Sequence, residues 1–189
     1  MDILLVDPPY TSLKGIATDC GYNVGLTSLA AYLRHEGIES AVLMGDLLMD
    51  LRPSKTWIDL KDYAMGQREY EKIVSDKAHP VWKKLADSVT QIAPKAVGIP
   101  YYTPLKYSVE RVAGLIKEIN RDIKIIAGAF HPTFCPEEVM QNPDIDFVIR
   151  GEGEIPLLRL VKELKKDSPR WETVPGIYYR GRDGQVQNN

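Results

Sequence analysis

Cysteine is scarce in this chain of 189 residues: Cys20 and Cys135 are the only two. That excludes a disulfide scaffold and makes a reduced, cytoplasmic setting the expectation. No Cys-x-x-x-Cys-x-x-Cys run occurs, and two cysteines with three scattered histidines give no zinc pattern. An excess of charge is lacking too. The formal net charge is -2, so nothing marks a nucleic-acid or acidic-membrane surface. No apolar run approaches the length that spans a bilayer, and Met1 leads straight into an apolar strand rather than a secretion signal. The first strand is followed by Asp7-Pro8-Pro9-Tyr10, which is neither the glycine-rich turn of a dinucleotide site nor a Walker phosphate loop.

What remains is an ordinary globular composition, 44% hydrophobic and 26% charged. Short apolar runs at 3–6, 38–44, 96–99, 123–127 and 146–149 read as buried strands. Helical spacing marks 24–35, where Leu26, Leu29, Ala30 and Leu33 recur, and also 81–92, 105–120, 136–141 and 154–165. Strands alternating with helices predict an α/β fold: a flavodoxin-like (Rossmann-like), doubly wound, five-stranded parallel sheet. The polar stretch 46–79 interrupts the rhythm and reads as an insertion with helix over 58–75. Packing on its own domain is the expectation there; a lid or a docking surface is the alternative. After Pro169 the chain reads as a short C-terminal hairpin, so the expected organisation is a domain over 1–168 followed by a hairpin or linker over 169–189. The bare hairpin end reads as a cut at a domain edge.

Four strand exits carry informative residues, and in open α/β sheets ligands sit at that carboxyl edge. Pro8-Pro9 either stops a strand or shapes a loop. Tyr101-Tyr102-Thr103-Pro104 offers two rings and a hydroxyl, although Thr103 also suits a helix cap. In the stretch 127–134, Gly128 either turns the chain or lets a ligand approach, and His131 is ordinarily a hydrogen-bonded structural residue. Cys135 four residues on does not complete a metal site. Gly151-Glu152-Gly153-Glu154 opens a helix, with Glu154 suiting its dipole and the glycines able to bring free N–H groups to a ligand.

Together these residues resemble the N-terminal cobalamin-binding domain of B12-dependent radical SAM enzymes. The likeness is carried by Ile3 to Tyr10, the helix sequence from Gly25 to Glu39, Tyr102-Thr103-Pro104, Gly128 to Val139, Arg150 to Glu154 and Val174 to Arg180. It implies a corrinoid over the carboxyl edge of the sheet with its nucleotide tail in the crevice. The implied contacts are Pro9, Tyr10, Tyr101, Thr103, Gly128, His131, Pro132, Thr133, Gly151, Glu152 and Gly153. Cobalamin is flat and amide-rimmed, which suits glycine-opened loops and hydroxyls rather than a charged pocket.

Two departures sharpen this expectation. Histidine-ligating cobalamin domains carry Asp-x-His-x-x-Gly after the first strand, whereas Asp7 here is followed by Pro8-Pro9-Tyr10-Thr11-Ser12. Cobalamin is therefore expected base-off, with no protein imidazole on cobalt. Gly-Ala-Phe-His also replaces the more usual Gly-Gly-Pro-His, setting Phe130 against the ligand. The cysteines for a [4Fe–4S] cluster are absent, so the resemblance leads us to expect the cluster, S-adenosylmethionine and the radical SAM barrel in another portion of a longer enzyme, a methyltransferase or ring-forming cyclase. The rivals are a free-standing corrinoid carrier, a hydrolase or transferase using His131, Glu152 and Glu154 as acid–base residues, and a signalling or scaffold module without a ligand.

Overall fold

The computed structural model describes residues 1–11, 14, 23–48, 60–181 and 183–189. Cys20, and the part of the expected insertion helix before residue 60, lie outside these. The ordered elements are β1 (Ile3–Asp7), α1 (Val24–His35), β2 (Ser40–Met44), α2 (Leu60–Ser75), α3 (Pro80–Ile92), β3 (Ala96–Pro100) and α4 (Lys106–Ile119). They continue with β4 (Lys124–Gly128), α5 (Phe130–Phe134), α6 (Pro136–Val139), β5 (Phe147–Ile149), α7 (Glu154–Leu164), β6 (Ile177–Arg180) and β7 (Val186–Asn188).

The first five strands are parallel in the order β2-β1-β3-β4-β5. This is the flavodoxin-like order, with its switch point between β1 and β3. Strand residues alternate between two apolar layers because successive side chains leave opposite faces. Leu4, Val6, Val97, Ile99, Ile125 and Ala127 pack with α3 and α4, while Ile3, Leu5, Ala96, Ile126 and Ile149 pack with α1 and α7. Burial on both faces explains why these strands read as unbroken apolar runs.

The sheet has seven strands rather than five. The C-terminal hairpin joins the same sheet: β6 pairs antiparallel with β5, and β7 pairs with β6. Ile177 and Tyr179 enter one core layer and Tyr178 the other, so this short strand is anchored on both faces. The expected helix over 136–141 is shorter, ending at Val139, and the turn of α5 precedes it.

Within the insertion, α2 packs on its own domain. Tyr70 is fully buried between Tyr10 and Tyr107. Its hydroxyl accepts a hydrogen bond from the Ser108 backbone N–H at 3.0 Å, in the first turn of α4. First-turn amides lack partners inside their own helix, so a side chain from α2 caps α4. The Ser108 hydroxyl in turn donates to the Pro9 carbonyl at 2.6 Å, tying the β1 exit to the same point. Tyr70→Phe keeps the ring and removes the acceptor from a buried N–H. It is expected to cost about 1–3 kcal/mol in urea unfolding, and an unchanged midpoint would show that the cap contributes nothing.

Candidate functional site

Parallel pairing brings the ends of β1, β3, β4 and β5 to one edge. A cavity of about 360 Å³ opens there on the α1/α7 face of the sheet. Its floor is a row across neighbouring strands, Leu5, Gly98 and Ile126, with Gly128 and Ile149 further out. Leu26 and Leu29 of α1 form one wall, and Gly153, Glu154 and Leu157 at the start of α7 form the other. Tyr102, Phe130 and Phe134 edge the mouth, and Phe130 and Phe134 are 67% and 78% exposed.

Glycines make the gap. A Cβ built on Gly128 would meet nothing nearer than the Ile149 Cβ at 4.0 Å, so a side chain there would grow into open space. Next to it, Ala129 is held at φ 80°, ψ −157°, a region that costs residues with a Cβ about 1–3 kcal/mol. The resembling family's glycine at this position needs no further explanation. The backbone is kept there by the carbonyl of Ala129, which accepts both the Thr133 N–H and its hydroxyl, the latter at 2.7 Å.

The expected site residues divide between the two faces of the sheet. Gly128, Thr133, Gly151, Glu152 and Gly153 line the cavity. Pro9, Tyr10, Tyr101, Thr103, His131 and Pro132 do not. Pro9 and Tyr10 turn toward α2 and α4. Tyr101 is 2% exposed within the opposite core layer, and Tyr102 lines the cavity in its place. The His131 ring stacks on Tyr101 at 4.7 Å, and its Nδ1 lies 3.1 Å from the Thr103 hydroxyl. Its Nε2 is buried without a hydrogen-bond partner, with the Glu138 carboxylate 3.8 Å away. His131 is thus a packed residue bridging the β3 and β4 exits. The Gly151 N–H, expected to be free, donates to the Thr133 hydroxyl at 3.0 Å.

Asn23, Leu26, Leu29, Gly98, Tyr102 and Phe134 are cavity residues that sequence reasoning missed. The available signal was alternation: counting in twos from Ala96 and Ile126 places Gly98 and Gly128 on the α1 face. Asn23 caps α1 by accepting the Leu26 N–H at 3.1 Å, and its amide donates to Asp7 Oδ1 at 3.0 Å. Among the described residues, no histidine lines the cavity. Among the described residues there is no group of three or more His, Cys, Asp or Glu able to hold a metal, and no helix long and apolar enough to cross a membrane.

The Asp7 carboxyl is held above the usual carboxylate range. Burial is the main cause; the Asn23 amide opposes it and the Asp46 charge adds to it. The ionised form is therefore penalised in the fold. That penalty is complete above the folded pKa and vanishes below the unfolded one. Asp7→Asn, which keeps an acceptor for Asn23, is expected to raise the thermal midpoint near neutral pH and to match the wild type at about pH 3. A difference that stays constant across that range would refute the assignment.

The B12 binding domain family matches residues 13–161. An anaerobic magnesium-protoporphyrin IX monomethyl ester cyclase of Rubrivivax gelatinosus is 36% identical over 108 residues, 54% of this chain and 19% of the cyclase. An uncharacterised methyltransferase of Pyrococcus horikoshii is 30% identical over 190 residues, 100% of this chain and 34% of that protein. The chain thus spans about a fifth to a third of these relatives. In solved structures, the cobalamin-dependent S-adenosylmethionine radical enzyme OxsB, with aqua-cobalamin and S-adenosylmethionine bound, shares the fold. Its TM-score is 0.68 at 21% identity, over 99% of this chain and 22% of OxsB. The radical S-adenosylmethionine methyltransferase TsrM from Kitasatospora setae gives 0.68 at 16% identity, over 96% of this chain and 29% of TsrM. With the family match taking in most of its length, this chain belongs to the B12 binding domain family.

Proposed function

We propose that this chain holds cobalamin base-off, without a histidine on cobalt, as the B12 domain of a radical SAM enzyme. The observation that carries the reading is the cavity at the switch point: apolar, opened by glycines and free of imidazole. At about 360 Å³ it is at the small end of ligand pockets, which run from roughly 300 to 1,000 Å³. That suits the flat heterocycle and ribose of a nucleotide tail and is too small to enclose a corrin. The ring then belongs outside the mouth, against Tyr102, Phe130 and Phe134, whose exposed faces are hydrophobic platforms.

Each residue has a task in this reading. Leu5, Leu26 and Ile126 exclude water from the tail, Gly128 leaves it room, and Gly98 admits the Leu5 side chain across the floor. Thr133 fixes the β4 and β5 exits to each other through Ala129 and Gly151. His131 and Thr103 set the height of the β3 exit from behind, through Tyr101, without reaching cobalt. Bound cobalamin supplies a cobalt centre for methyl transfer or for ring-forming redox chemistry. The [4Fe–4S] cluster, S-adenosylmethionine and substrate are assigned to a radical SAM barrel outside this chain. A hydrolase built on His131, Glu152 and Glu154 is disfavoured, because the two glutamates line a cavity from which His131 is absent.

The test is retention. The purified chain mixed with hydroxocobalamin and desalted is expected to stay coloured, with a base-off visible spectrum. Its cob(II)alamin form is expected to show no axial nitrogen hyperfine splitting in electron paramagnetic resonance. Loss of colour overturns the binding, and nitrogen splitting overturns the coordination. Gly128→Leu, which fills the gap, is expected to weaken retention by roughly tenfold or more while leaving the circular dichroism spectrum unchanged.

A further inference from the structure

We infer that Glu152 and Glu154 select a fully amidated corrin over corrins carrying free side-chain carboxylates. The inference rests on the cobalamin reading and specifies which corrinoid is accepted at the mouth of the cavity, where Glu152 is exposed and Glu154 half-buried.

Among the described residues, twenty-one line the cavity, and the only charged ones are these two glutamates; no described lysine, arginine or histidine lines it. Neither glutamate side chain makes a hydrogen bond or ion pair with any described residue, so both carboxylates keep their acceptor capacity. A third carboxylate, Asp7, stands behind Asn23 at the opposite wall.

The amino end of α7 is the feature that would ordinarily attract an anion. Glu154 in its first turn already offsets that positive end. The Gly151 N–H just ahead of it is occupied by Thr133. An incoming carboxylate therefore finds repulsion with no compensating donor. A primary amide on the corrin rim is neutral and presents two N–H donors to unpartnered carboxylate oxygens. Loop geometry holds this rim in place: Gly151 sits at φ 78°, and an added Cβ on Gly153 would lie 3.4 Å from Leu29 Cδ2, so the α7 start is seated closely on α1.

The discriminating ligands are cobalamin and its b-, d- and e-monocarboxylic acids, in which one rim amide is hydrolysed. All four share the tail and its phosphodiester, so those contributions cancel. Dissociation constants measured on the purified chain by visible difference spectra at low salt are expected to show at least one acid binding roughly fivefold weaker than cobalamin. The gap is expected to close in about 1 M salt and in the Glu152→Gln/Glu154→Gln double variant. Equal affinity for cobalamin and all three acids overturns the inference while leaving the cobalamin reading intact. So does a gap that survives in the double variant. Failure of the wild type to hold cobalamin at all overturns both.

Discussion

A missing layer of side chains at the centre of the sheet is the constraint on which everything else depends. Leu5, Gly98 and Ile126 are register partners across β1, β3 and β4, and Pro100 pairs with Gly128 one step further out. Elsewhere on that face, Ile3, Ala96 and Phe147 fill the space beneath α1 and α7. At Gly128 the filling stops, whereas over Gly98 the Leu5 side chain closes in, since a Cβ there would lie 2.7 Å from Leu5 Cδ2. The result is a recess walled by apolar side chains, located where β1 gives way to β3 and the crossovers diverge to opposite faces. Chain connectivity chooses the place, and the lack of a Cβ sets its depth.

Much of the scaffold was readable in the residues because burial on both faces leaves a strong local trace. Runs such as 3–6 and 96–99, and the stripe Val109, Val112, Ile116 on α4, carry their own periodicity. The antiparallel extension was harder to place. Residues 177–188 have hairpin chemistry, but nothing local says that Tyr178 will pair with Val148 across some thirty residues of intervening chain. The cavity was only half legible for the same reason. Glycine at 128, 151 and 153 is visible as glycine, whereas which of two adjacent tyrosines faces it depends on strand parity carried past a proline. Tyr101 is buried under His131, and Tyr102 is the one at the mouth.

The β1 exit shows how a loop with little sequence signal can be firmly built. Gly45 approaches it so closely that a Cβ would come within 2.5 Å of the Pro9 nitrogen. The following Asp46 accepts the Tyr10 and Thr11 N–H groups at 2.8 and 3.2 Å. Lys14 donates to the Tyr10 hydroxyl and lies over the Tyr10 and Tyr63 rings. Contacts from the turn after β2, from α2 and from α4 thus converge on a segment where histidine-ligating cobalamin domains carry their metal ligand. Here it is an all-protein junction, in which tyrosine rings and backbone carbonyls occupy the positions nearest that strand end.

The backbone at Ala129 is a loaded joint. A residue with a Cβ held at φ 80° and ψ −157° has a standing tendency to relax, and the two Thr133 hydrogen bonds oppose it. That same threonine hydroxyl is the acceptor for the Gly151 N–H. Tension in one exit is therefore mechanically shared with the next. The β4 exit and the head of α7 thus hang on one hydroxyl group, and loss of that single oxygen would uncouple two walls of the recess.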